Sequence, residues 1–130
     1  MRFLLDTHVW LWMLTSPERI RGQAAAVVSD RTSTLLLSAA SSWEISIKYS
    51  LGRLPLPQSP VTYVPPRMRA TRVESLPVTH THALRVSALP RHHADPFDRL
   101  LIAQAQIEGL TVLTVDPAFA QYEVPVVSAA

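Results

Sequence analysis

The sequence predicts an α/β fold in which a mainly parallel sheet is covered by helices on both faces. Short, uniformly apolar runs such as RFLL, TLLL and TVLTV have the composition of strands buried on both sides, rather than the alternation of a half-exposed sheet. They are separated by longer stretches with apolar residues at helical spacing, the order expected of β-α units. Proline and glycine fall at the joints: Pro17, Pro96 and Pro117 open helical stretches, and Gly52 and Gly109 follow them, which is the usual asymmetry of helix ends.

Taken in order, residues 2–5 form a first strand that ends on Asp6, and residues 7–14 turn helical. A second helix is expected over residues 17–29, with Ser16 as N-cap, Pro17 in the first turn and Glu18 near the positive helix end. Residues 34–37 read as a second strand. Residues 38–50, SAASSWEISIKYS, carry Trp43, Ile47 and small residues at helical spacing, with Gly52 placed to end that helix. The stretch 54–66 holds Pro55, Pro57, Pro60, Pro65 and Pro66 and reads as a surface excursion. A short helix starting near Pro60 would be interrupted by the Pro65-Pro66 pair. A third strand is expected within 73–78, ended by Pro77, and a helix over 79–89 capped by Thr79 and stopped before Pro90. In HHADPFDRLLIAQA, residues 92–105, Asp95 has the position of an N-cap, Pro96 fits the first turn, and Leu100 to Ala103 and Ala105 make the helix mostly apolar. A strand over 111–115 ends at Asp116, a helical turn follows over 117–122, and a last strand lies near 124–127.

At 130 residues the chain has the size of one domain, residues 1–130, long enough to bury a real core. Its 48% hydrophobic and 17% charged content exclude disordered and coiled-coil classes. No apolar run approaches the roughly 20 residues needed to span a bilayer, and MRFLLD is too short for a signal sequence. Absence of cysteine removes disulfides, thiolate catalysis and cysteine-bound zinc, and together these features point to a cytoplasmic protein. The net charge of +2, with Lys48 the one lysine among the cations, suits phosphate or carboxylate partners but is too small to identify a nucleic-acid binder.

Four acids invite comparison: Asp6 after the first strand and Asp116 after a late strand lie outside carboxyl ends of strands, where an open α/β sheet gathers its ligands, and Glu44 in the third helix and Asp98 opening the helix after Pro96 can converge on the same edge. Carboxylates that converge in a small space repel unless a cation lies between them. A hard divalent ion such as Mg²⁺ or Mn²⁺ meets that need with oxygen ligands, and such ions support phosphodiester hydrolysis. Each acid also has a local structural use. Asp6, Asp95, Asp98 and Asp116 can serve helix starts, and Glu44 has Lys48 four residues on, an ordinary helix ion pair.

The remaining candidates are weaker. His80, His82, His92 and His93 do not match a zinc spacing and read as solvated. His8 lies beside the first acid and is a candidate substrate contact. Trp10, Trp12, Trp43, Met13 and Phe97 read as core or, where exposed, as interface. With three glycines, phosphate-cradling loops are nearly excluded.

The segments MRFLLDTHVWLW, SAASSWEISIKYSLGRLPLP, HHADPFDRLLIAQAQ and GLTVLTVDPAF, in this order and spacing, resemble the PIN-domain family, specifically the VapC-type toxin ribonucleases of bacterial toxin–antitoxin pairs. The likeness runs along essentially the whole chain. It implies an α/β/α sandwich and an acidic site for Mg²⁺ or Mn²⁺ in which Asp6, Glu44, Asp98 and Asp116 are both the metal ligands and the catalytic acids. Asp95 falls to the N-cap, with Thr7 and Thr114 beside the site acids. The resemblance further implies hydrolysis of RNA phosphodiesters, a homodimer, and a small antitoxin that blocks the acidic groove. Arg53, Arg91 and Arg99 are candidate phosphate contacts. The Pro65-Pro66 pair departs from the smooth helix expected there. Two rival readings are a phosphatase using Asp6 as nucleophile, which would want an acid where His8 stands, and a non-catalytic binding module whose acids are only caps.

Overall fold

The computed structural model describes residues 1–129. Five parallel strands, β1 (Arg2–Leu5), β2 (Thr34–Ser38), β3 (Glu74–Leu76), β4 (Thr111–Thr114) and β5 (Val126–Ser128), form one sheet in the order β3-β2-β1-β4-β5. Six helices accompany them: α1 (Thr7–Thr15), α2 (Gly22–Ser29), α3 (Ala39–Ser50), α4 (Pro60–Thr71), α5 (His80–Arg85) and α6 (Pro96–Glu108). Among the described residues no helix is long and apolar enough to cross a membrane.

The strand pleat divides the core in two. Phe3 and Leu5 join Leu35 and Leu37 on one face, against Val9 and Trp10 of α1, Ala24 of α2 and Tyr63 and Val64 of α4. Leu4, Leu36, Leu76 and Val112 point the other way, against Leu101, Ile102 and Ala105 of α6 and against Phe119 and Tyr122. Side chains that alternate between faces with a period of two, both faces being covered, produce the expected three layers.

Four local expectations change. The helix expected over 17–29 is split into a 3₁₀ turn, Pro17–Arg19, and α2. Ile20 is extended and buried, and Gly22 has φ +60°, a conformation that breaks a continuous helix. The Pro65-Pro66 pair does not interrupt α4. Both prolines are exposed, and the carbonyls their missing N–H groups would have bonded belong to Val61 and Thr62, also exposed, so solvent can satisfy them. The helix over 79–89 is α5 followed by a 3₁₀ turn, Val86–Ala88. β5 begins after Pro125, later than expected.

Helix ends follow their cues. Asp95 accepts hydrogen bonds from the N–H groups of Phe97 and Asp98 and caps α6, with Pro96 next to it. Gly52, at φ +72°, closes α3: its N–H donates to the Tyr49 carbonyl and that of Arg53 to Lys48, the paired bonds of a Schellman end.

The chain runs from β1 outward to β2 and β3, then returns to β4 on the other side of β1. The strand order therefore reverses between β1 and β4, where open α/β sheets form their ligand crevice.

Candidate active site

Asp6 follows β1 and Thr114 ends β4. Because Leu5 is paired with Leu113, the next residues on each strand are neighbours, and Thr114 Oγ1 donates to Asp6 Oδ2 at 2.6 Å. The backbone N–H of Asp6 donates to the Leu113 carbonyl, and Asp6 Oδ1 accepts from the N–H of His8, capping α1. Burial would push the Asp6 carboxyl up. The His8 side chain, the Thr114 hydroxyl and the His8 N–H outweigh it and hold the group below the usual carboxylate range. The His8 ring, 3.7 Å from Asp6 Oδ1 and well exposed, is in turn held above its ordinary value by that carboxylate.

On the other side of β1, the end of β2 leads through Ser38, the N-cap, into α3. Thr7 Oγ1 donates to Ser41 Oγ at 2.8 Å and ties α1 to α3. Glu44 lies one turn further along α3, buried, with Oε2 2.6 Å from Lys48 Nζ. The ion pair read from the sequence is present, and it holds the Lys48 ammonium above its usual value. It uses one Glu44 oxygen only, since Oε1 is buried and has no hydrogen-bond partner among the described residues. A cavity of about 220 Å³ opens beside this pair, lined among others by Thr7, His8, Glu44, Lys48 and Arg53. A larger depression, about 580 Å³, lies at the opposite, amino-terminal end of β2 and β3, away from these acids.

Asp98, in the first turn of α6, is half-buried. Its carboxyl is pushed up to about 7, by burial first and then by the negative charges of Asp6 and Asp95, with Glu44 adding to them and His93 opposing. Asp116 Oδ1 caps the 3₁₀ turn Pro117–Gln121 through the N–H of Ala118, and its own N–H donates to Thr114 Oγ1. Contacts thus link the expected acids as Asp6 with Thr114, Glu44 with Lys48, and Asp98 with Asp116 through His93. The bland uses as caps and ion pair are real, and they coexist with a convergence of charge on Asp98.

Other side chains depart from their expected roles. Arg99 is not free to meet phosphate: its guanidinium donates to the carbonyls of Pro90, Val86, Leu89 and His93 and to Tyr122 Oη, binding the 86–93 segment to α6. Trp43 is 59% exposed and packs edge-on against Phe97, because the inward face of α3 carries Ala40, Ser41, Glu44 and Ile45 instead. His82 is buried rather than solvated, with Nε2 2.8 Å from Glu108 Oε2 and Nδ1 accepting from the Thr79 N–H. Thr-x-x-His there plays the part that Thr-x-x-Glu plays in a capping box, a spacing visible in the sequence. His93 is also not solvated. Its Nε2 lies 3.0 Å from Asp98 Oδ2 and 2.8 Å from Asp116 Oδ2, and one ligand atom from each of the three residues falls within 4.8 Å of the others. No spacing announces that placement, since Asp116 is reached only through the fold.

Comparison with known proteins adds the following. A model of the PIN domain matches residues 3–125. Ribonuclease VapC16 of Mycobacterium tuberculosis is 48% identical over 60 residues, which cover 46% of this chain and 43% of that protein, so the match spans less than half the length of that relative. Ribonuclease VapC22 of the same organism is 29% identical over 114 residues, covering 87% of this chain and 85% of that one. Among solved structures, VapBC2 from Rickettsia felis bound to a promoter DNA fragment superposes with a TM-score of 0.74 at 13% identity over the whole of both chains. DNA-bound VapBC from Salmonella typhimurium gives 0.68 at 18% identity, covering 100% of this chain and 99% of that one.

Proposed function

The chain belongs to the PIN-domain family, and from that premise we propose that it is a VapC-type endoribonuclease that hydrolyses RNA phosphodiesters with a divalent cation. The observation that carries this reading is the electrostatics around Asp98. Burial and three other acids raise its carboxyl to about 7, and one oxygen of buried Glu44 has no partner among the described residues. Lys48 makes its contact with Glu44 and reaches Asp95 and Asp98 only through space, and His93 only partly offsets the charge around Asp98, whose carboxyl stays raised. A donor set made of carboxylate oxygens fits a hard ion of the Mg²⁺ or Mn²⁺ kind. Asp6, Glu44 and Asp98 would hold it, with Asp116 completing the shell directly or through water.

Such an ion supplies activation of a water and stabilisation of the leaving oxygen. The chain's own residues do the rest. Thr114 fixes the orientation of Asp6, Thr7 and Ser41 lock α1 against α3, and Lys48 steadies Glu44 while leaving Oε1 free. His8 and Arg53, on the rim of the adjoining cavity, are placed to meet an RNA phosphate on its way to the acids. Nothing here requires a covalent intermediate. The VapC names of the two relatives and the VapBC titles of the superposed structures support a small antitoxin as partner. With that partner we place a homodimer, a cytoplasmic location and a single PIN domain spanning residues 1–130.

The test is incubation of a mixed RNA pool with purified protein in Mg²⁺ or Mn²⁺, beside EDTA and beside Asp98→Asn. Cleavage that both controls abolish is the expected result. Equal cleavage by wild type and variant would take Asp98 out of the reaction, and an absence of cleavage by pure protein with either ion would return the acids to their capping roles.

A further inference from the structure

His93 lies outside the four acids, yet it makes the contact that joins two of them. The N–H of Asp95 donates to His93 Nδ1 at 3.2 Å, so Nδ1 carries a lone pair and the proton of the neutral ring sits on Nε2. That single N–H points between Asp116 Oδ2, at 2.8 Å, and Asp98 Oδ2, at 3.0 Å. Bonds from N–H to carboxylate are charge-assisted and stronger than neutral ones. The ring is held in place. The N–H of His93 donates to Tyr122 Oη at 2.9 Å, its carbonyl accepts from Arg99 at 3.4 Å, and its ring meets Phe119 edge-on, with the side chain 19% exposed. Tyr122 and Phe119 belong to the segment after Asp116, and Arg99 follows Asp98, so the residues flanking both acids also fix the group between them.

We propose that His93 is a positioning residue of the active site, whose Nε2–H clamps Asp98 and Asp116 together and sets the direction in which Asp98 faces the cation. This rests on the metal-dependent reading above. Asp116 then meets the cation through water and steadies Asp98 through His93, because Oδ1 is taken by the Ala118 N–H and Oδ2 by the imidazole. The clamp also relieves two carboxylates that would otherwise face each other with no donor between them when no ion is bound. Outer partners that orient a ligating group commonly contribute 10–100-fold in metal affinity, and His93 has the geometry of such a partner for Asp98.

The experiment combines imidazole ¹⁵N NMR of the full chain with calorimetric titrations of Mg²⁺ and, separately, of Mn²⁺ into metal-free wild type, His93→Ala and His93→Gln. The glutamine amide places an N–H donor near the position of Nε2, and thermal melting checks that both variants fold. The expected spectrum is the Nε2–H tautomer before and after Mg²⁺. The expected loss of Mg²⁺ affinity is about 10- to 100-fold in the alanine variant, with substantial recovery in the glutamine variant. An Nδ1–H tautomer, loss of the Nε2 proton on adding Mg²⁺, or wild-type affinity in His93→Ala would each overturn the positioning role while leaving the metal site standing. Wild type that takes up neither Mg²⁺ nor Mn²⁺ would overturn the metal-dependent reading itself and the positioning role with it.

Discussion

Asp98→Asn is expected to make the metal-free protein more stable than wild type at pH 8 while lowering metal-dependent RNA cleavage by at least about 10²-fold. Both effects come from the same carboxyl. In the folded chain it is pushed up to about 7 by burial and by Asp6, Asp95 and Glu44, whereas in the unfolded chain it titrates near the ordinary aspartate value. A folded-state pKa above the unfolded one means that folding favours the protonated acid. That contribution is complete below about pH 4 and is lost as pH rises through about 7. Asparagine mimics the neutral acid at every pH. The variant should therefore match wild type at low pH, pull ahead between about 4 and 7, and stay ahead above that by up to about 4 kcal/mol. Urea unfolding of both proteins in EDTA at several pH values measures the difference. A gap independent of pH would mean that Asp98 is not held against neighbouring charge.

Trp10→Ala is expected to cost about 3–5 kcal/mol, the range for removing a large aromatic from a packed core. Trp10 is completely buried between β1, α1 and their neighbours. Its indole N–H donates to Thr71 Oγ1 at 3.1 Å and so fastens α1 to the end of α4. Trp10→Phe keeps most of the ring contact but loses the hydrogen bond and part of the volume, and should cost clearly less. Trp12, half-buried with the Arg19 guanidinium 4.0 Å above its ring, should tolerate alanine better than Trp10. Denaturant unfolding of the three variants separates these cases. Equal losses at Trp10 and Trp12 would contradict the placement of Trp10 at the centre of its layer.

The parts of the fold set by local rules are legible in the amino-acid sequence. Asp95 and Pro96 declare the start of α6, Gly52 the end of α3, and the uninterrupted apolar runs a sheet covered on both faces. The position of Asp6 after β1 is legible in the same way. Thr114 is expected beside the site acids, but that its hydroxyl bonds Asp6 follows only from the β1–β4 register, which no local pattern encodes. His93 is a sharper case, since a histidine before a capped helix resembles any solvated loop residue until Asp116 is brought to it by β4. Trp43 reads from the sequence as core or as exposed interface, and only the fold decides for exposure. Helical spacing fixes which residues share a face but not which face turns inward, and on α3 the inward face carries Glu44 and Ile45. For the prolines of α4, backbone chemistry alone predicts a break, and what decides their effect is that the affected carbonyls lie on the solvent side.

The most direct measurement of whether acids from β1, α3 and α6 form one cation site is anomalous diffraction from crystals soaked in Mn²⁺. The result predicted is a peak at ligand distance from carboxylate oxygens of both Asp6 and Asp98, with Glu44 facing it, and no such peak in Asp98→Asn crystals. Manganese found only at scattered surface acids, with none between Asp6 and Asp98 in the wild type, would contradict it.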